Sequence, residues 1–179
     1  MKEIIYNYDN LTEEEITELV IRMKALIIQG DKLLIGDESG CFQFIGGHLE
    51  ENESFNDCLK REVREETGIE LDDSEIKRPF MKVSYLNRDW PEKGKNRKCE
   101  IYYYVIETLK EVNLNNTNYT QNEIDKGYSI KSFKLNESIS KIEENIPNHE
   151  KNKLISLDMI EAIKEYLKQC EWGIKWKQN

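Results

Sequence analysis

Three carboxylates, Glu62, Glu65 and Glu66, fall within six residues of each other near the end of a helix-forming stretch. Their spacing is i, i+3 and i+4, which puts them on nearly the same side of a helix. Like charges so placed repel by about 0.2–0.5 kcal/mol per pair. They also sit in the last turns, where the helix dipole favours cations. A helix built only for stability would not carry three acids there, and a bound divalent cation removes both objections. The plain alternative is a solvated acidic face, the usual reading of a charge run on a surface helix. Gly47, Glu53, Arg61 and Gly68 frame the acids at fixed distances and weigh against it.

The element that must carry the acids is predicted from local signals. Ser54 can cap a helix that ends at Gly68, a residue that tolerates left-handed dihedrals. Phe55, Cys58, Leu59 and Val63 form one apolar stripe over its first half. Just upstream, Gly46 and Gly47 allow a tight bend and a bare backbone beside a ligand.

The stretch from Gly47 to Ile69 reads G-x5-E-x7-R-E-U-x-E-E-x-G-U, with U aliphatic. This pattern resembles the signature box of the Nudix hydrolases and is complete at every fixed position. The resemblance is sharp over 46–69 and extends from about Leu19 to Leu135. It implies an α/β (α+β) fold, a mixed sheet flanked by helices in an α/β/α sandwich. It implies hydrolysis of a nucleoside diphosphate linked to another group, with Mg²⁺ or Mn²⁺ as cofactor, since carboxylates without soft ligands suit hard cations. On these residues it places Glu62, Glu65 and Glu66 as metal ligands and brings the Gly46 carbonyl toward a metal. Glu53 and Arg61 match the family's orienting salt bridge. Glu123, in the loop before a later strand, matches a further acid that many members supply. Either Glu62 or Glu123 is expected to take the proton from the attacking water. The chain departs from the family in one place, carrying Ile45 where proline usually precedes the glycine pair.

The substrate is not specified by the box. Tyr85, sixteen residues past Ile69, has a spacing resembling the tyrosine of dinucleoside-polyphosphate hydrolases. A strand tyrosine packed in a core is the plainer reading. A nucleoside triphosphate, a dinucleoside polyphosphate and a nucleotide sugar all stay open. The competing class is a non-catalytic Nudix-like nucleotide sensor, but such modules usually lose box carboxylates and this chain keeps them. Isopentenyl-diphosphate isomerase shares the fold but relies on a catalytic cysteine, and Cys58 falls on the helix stripe.

The totals fit this chemistry. At 179 residues, one domain over 1–179 is expected, with short helical extensions at both ends. A net charge of −9 disfavours a nucleic-acid polymer as partner. Four scattered cysteines without C-x-x-C read as reduced thiols, and no run suggests a signal peptide or membrane span, so a cytoplasmic location is expected. Oligomeric state, homodimer included, is left open.

The remaining elements follow from periodicity and turns. Strands are predicted over 4–8, 19–28, 32–35, 41–45, 76–87, 100–108 and 128–135, with Pro79 marking an edge or bulge. A brief helix starts with a Thr12–Glu15 capping box. Helices are expected over 136–145 and along Leu154, Leu157, Ile160, Ile163 and Leu167. The tail 172–179 is expected to pack on the domain or on a partner. Arg88, Lys93, Lys95, Arg97 and Lys98 form the one dense basic segment, either an arm for substrate phosphates or a solvated loop.

Overall fold

The longest strand pairing sets the sheet. Strand β2 (Glu18–Gln29) runs parallel to β6 (Arg97–Glu107), in register from Glu18 opposite Arg97 to Ile28 opposite Glu107. Both are rich in β-branched and aromatic residues, which suit a pleated surface buried on both faces. The computed structural model describes residues 1–149 and 153–177, with side chains described as far as Glu171. β2 turns back through Gly30, whose φ is +63°, into antiparallel β3 (Lys32–Glu38). β4 (Cys41–Gln43) continues that meander. β1 (Lys2–Tyr6) lies parallel to β5 (Met81–Asn87), which is antiparallel to β6. β7 (Ser129–Lys134) pairs with β3, giving the order β1-β5-β6-β2-β3-β4 with β7 beside β3.

Alternation along the central strands divides the core into two layers. Met23, Ala25, Ile27 and Leu34 face helix α1 (Phe55–Thr67) and pack with Cys58, Leu59 and Val63. Leu26, Ile28, Leu33 and Ile35 face the other way. There they meet Ile142 of α3 (Leu135–Asn145) and Met159, Ile160, Ile163 and Tyr166 of α4 (Lys153–Lys177). The sheet is therefore mixed and covered by helices on both faces. No described helix is long and apolar enough to cross a membrane.

Several elements differ from the sequence expectation. The first strand is Lys2–Tyr6 because its parallel partner spans Met81–Tyr85. The stretch from Ile76 does not enter the sheet until Met81, so Pro79 lies outside the strand after a 3-10 turn at Asp73–Glu75. The stripe predicted for α4 holds at Ile160, Ile163 and Leu167 but fails at Leu157. Leu157 is exposed, whereas Ser156 and Asp158 are buried beside Met159. Four of the five residues of the basic segment are ion-paired: Arg88 to Glu15, Lys95 to Glu92, Arg97 to Glu18 and Lys98 to Glu13. Most of that charge is thus already neutralised, three of the four pairs reaching acids at 13–18. The 172–177 side chains and all of 178–179 lie outside the described residues, and the packing expected of the tail lies there too.

Candidate active site

The site is built where α1 crosses the glycine bend after β4. Ser54 caps the helix by accepting from the Asp57 N–H at 3.1 Å, and Gly68 closes it at φ +71°. The apolar stripe is buried against β2, which turns Glu62 and Glu66 toward the bend. Gly46 donates its N–H to Glu66 Oε1 at 2.8 Å, and the Tyr128 hydroxyl donates to Glu66 Oε2. Tyr119 packs edge-on to Tyr128 and donates to the Glu66 carbonyl at 3.1 Å. Glu66 is only 6% exposed, so water cannot solvate its charge. Burial pushes its carboxyl well up, and the nearby charges of Glu62 and Glu123 add to that.

Gly47 lacks a side chain for a reason visible in the packing. A Cβ there would stand 2.5 Å from Glu62 Oε1, so the glycine leaves room for that carboxylate. Gly46 takes φ +123°, which brings its backbone against the Met23 carbonyl. Burial also raises the Glu62 carboxyl, while Arg61 works the other way.

Arg61 is the hub of the box. Its Nε and Nη2 donate to the two oxygens of Glu53 at 2.8 and 3.0 Å, a bidentate pair. Its Nη1 donates to Glu62 at 2.8 Å and to Glu65 at 3.2 Å, and Nη2 also reaches the His48 carbonyl at 2.9 Å. The arginine beside it holds the Glu53 carboxyl below the usual range. One cation thus ties the bend, the Glu53 turn and two box acids together.

Lys24, on β2, is the functional candidate the sequence reading missed. Its Nζ donates to the Phe44 carbonyl at 2.8 Å and to the Gly46 carbonyl. Burial pulls its ammonium pKa down, and the Glu66 charge opposes that. Two cations, Arg22 and Lys24, in an otherwise apolar strand stretch were the available signal. Tyr128 was also missed, since at a strand start it reads as packing.

Of the expected residues, the structure brings Gly46, Glu62 and Glu66 together, with Glu65 and Glu53 joined through Arg61. Glu123 lies close enough for its charge to act on Glu66 and Lys24. Its carboxylate is engaged, however, accepting from Thr120 N–H at 2.6 Å and Thr120 Oγ at 2.8 Å. It stands in a short helix, α2 (Gln121–Asp125), as the third residue of a capping box, and not in a loop.

The donor set fits a hard divalent cation in kind: carboxylates and one backbone carbonyl, with no thiolate or imidazole among them. Among the described residues no three acids, histidines or cysteines stand close enough to hold one ion as placed. Arg61 engages one oxygen each of Glu62 and Glu65, and Lys24 engages the Gly46 carbonyl.

Beside the bend lies a cavity of about 440 Å³ between the sheet and α4, with Lys24, Phe44 and Tyr103 in its wall. Its size falls in the range of about 300–1,000 Å³ typical of small-molecule sites. Lys24 belongs to both, touching the Gly46 carbonyl and lining the cavity.

The fold is shared with known proteins. The structure is similar to that of the MutT protein from Methanosarcina mazei Go1, with a TM-score of 0.54 and 19% identity, covering 84% of this chain and 96% of that one. It is similar also to the MutT NUDIX hydrolase from Burkholderia pseudomallei, with a TM-score of 0.49 and 17% identity over 66% and 85% of the two chains. At this identity the first likeness establishes the fold alone. The family model described as the NUDIX domain matches residues 19–151, a span that contains the whole box, Lys24 and Tyr128. With that match over most of its length, the chain belongs to the Nudix hydrolase family.

Proposed function

We propose that this Nudix pyrophosphohydrolase uses Mg²⁺ or Mn²⁺ to cleave the diphosphate linkage of a small nucleotide: a nucleoside triphosphate, a dinucleoside polyphosphate or a nucleotide sugar. The observation that carries the reading is the buried Glu66, with Glu62 beside it at the glycine bend, next to a ligand-sized cavity. A buried acid pair with raised proton affinity is costly for folding and suits a site that concentrates positive charge on binding.

The residues divide the work by position. Glu62, Glu65, Glu66 and the Gly46 carbonyl would hold the metal. When bound, it supplies charge neutralisation at phosphate oxygens and acidifies a bound water. Gly46 N–H and Tyr128 hold the Glu66 carboxylate in one orientation. Arg61 and Glu53 fix the bend against α1, a positioning role. Water attacks phosphorus, the phosphoanhydride P–O bond breaks, and a carboxylate takes the water proton. Between the two candidates we favour Glu62. It is half-buried against Gly47 with raised proton affinity, whereas Glu123 is tied to Thr120. Small phosphorylated substrates suit an acidic protein of charge −9 better than a polyanion does.

A nucleotide panel with Mg²⁺ and Mn²⁺, read by phosphate release with added pyrophosphatase, tests the reading. Metal-dependent turnover of at least one diphosphate-bearing nucleotide is expected. Binding without turnover across the panel would replace the hydrolase with a sensor.

A further inference from the structure

Lys24 brings a cation to the one backbone oxygen in the proposed donor set. Its Nζ donates to the Phe44 carbonyl at 2.8 Å and to the Gly46 carbonyl. Both bonds go to neutral carbonyls, while the negative charges of Glu66, Glu62 and Glu123 act on the ammonium across space. Packing does not call for a lysine here. Its neighbours Met23 and Ala25 are buried against α1, and Leu26 is buried in the opposite layer. An apolar side chain at this half-buried position would avoid desolvating a charge.

An ammonium and a divalent ion on the same carbonyl oxygen would stand a few ångströms apart, and a half-buried site screens that repulsion weakly. The ammonium is the one that can leave. It is a single charge on a flexible stem, whereas the dication takes several oxygen ligands at once. Lys24 lines the cavity under α4 and stands opposite Tyr103 in the strand register. The Tyr103 hydroxyl donates to Asp158 Oδ2 at 3.5 Å. Asp158 lines the same cavity, and its Oδ1 is buried with no hydrogen-bond partner among the described residues. The cavity therefore offers a displaced ammonium both room and an open acceptor.

We propose that Lys24 is a resident cation of the metal site: its ammonium holds the Gly46 carbonyl in the metal-free protein and is displaced into the cavity when a divalent ion binds. This assignment rests on the metal reading above. Lys24 balances the box acids while the metal is absent, and it lowers the net affinity for the metal, since binding breaks two hydrogen bonds of the ammonium. It is a positioning residue and not a catalytic one.

Two measurements on the full chain test this, and neither requires turnover. The first is manganese titration of the wild type, Lys24→Met and Lys24→Gln, read by the loss of the free-ion electron paramagnetic resonance signal. Both variants remove the charge, and glutamine keeps a donor for the carbonyl. Both are expected to bind about tenfold tighter than the wild type or better, within the usual span of coupling between two bound groups. Equal or weaker binding in either variant, its fold intact by circular dichroism, overturns the proposal. The second uses the wild type alone, so it does not depend on how the variants fold. Acetylation by an N-hydroxysuccinimide ester is mapped by mass spectrometry in chelator and in saturating Mn²⁺, with exposed Lys32 as the internal reference. Labelling of Lys24 relative to Lys32 is expected to rise severalfold with manganese, because the amine leaves its two carbonyls. An unchanged or lower ratio overturns the proposal. No manganese uptake by any of the three proteins overturns the metal reading and the displacement with it, whereas uptake with no change at Lys24 overturns the displacement alone.

Discussion

Replacing Asp158 by Asn is expected to stabilise the protein, and by an amount that depends on pH. The carboxyl is buried under α4, and that burial pushes it from its ordinary 3.8 to about 7, despite two tyrosine hydroxyls that favour the charged form. Below pH 3.8 the proton is bound in both folded and unfolded chains, and the group carries no extra cost. Between there and about 7 the unfolded chain has lost the proton while the folded chain keeps it. Stability therefore falls as pH rises, by about 1.4 kcal/mol per pH unit. The gap of about three units makes the full cost about 4 kcal/mol above pH 7. Asparagine has no charge to lose, matches the shape and still offers an oxygen to Tyr85 and Tyr103. Urea unfolding of both proteins from pH 4 to pH 8 checks this. The stability of the variant minus that of the wild type should grow by about 4 kcal/mol across the range, or about 10 °C in Tm for a chain of this size. Other titrating groups are common to both proteins and cancel in the difference. Parallel pH profiles would refute the reasoning, since they would mean that Asp158 is solvated or neutralised by a partner.

Three further outcomes follow from the geometry. Gly47→Ala should fold but lose on the order of a hundredfold in kcat, because its Cβ would displace the Glu62 carboxylate it would otherwise meet at 2.5 Å; unchanged kcat would show that Glu62 moves without consequence. Arg61→Ala strips the shared donor from Glu53, Glu62 and Glu65 and should cost about 1.5–3 kcal/mol in denaturant unfolding. A loss under about 0.5 kcal/mol, the level of an ordinary surface change, would count against the hub role. Mg²⁺ or Mn²⁺ at ten times its Kd should add about 1.4 kcal/mol and raise Tm by about 3–6 °C, reversed by chelator. An unmoved Tm at calorimetrically verified saturation would remove the link between the acid cluster and apo instability.

Much of α1 was legible because its signals are local. Ser54, the apolar stripe and Gly68 lie within fifteen residues of one another and specify cap, buried face and stop. The β2–β3 hairpin was legible for the same reason, with Gly30 supplying the turn. What stayed hidden depends on partners far along the chain. Lys24 meets the Gly46 carbonyl across 22 residues, and Asp158 meets Tyr85 across 73. No periodicity reports such meetings. The stripe along α4 was counted from apolar residues alone, so buried Ser156 and Asp158 were passed over and exposed Leu157 was included. The basic segment read as one patch, yet its charges are spent on acids at 13–18 and on Glu92, mostly long-range pairs invisible in composition. The shared side of Glu62, Glu65 and Glu66 can be read from their spacing, but the bonds of Arg61 to Glu62 and Glu65 and of Lys24 to the Gly46 carbonyl appear only in three dimensions.

Box carboxylates that hold a divalent cation must bind manganese saturably. Manganese titration of the wild type, Glu65→Gln and Glu66→Gln, read by the loss of the free-ion electron paramagnetic resonance signal, addresses it directly. Saturable binding is expected in the wild type and at least a tenfold weaker Kd in both variants, whose folds remain intact by circular dichroism. Equal affinity in all three proteins would contradict it.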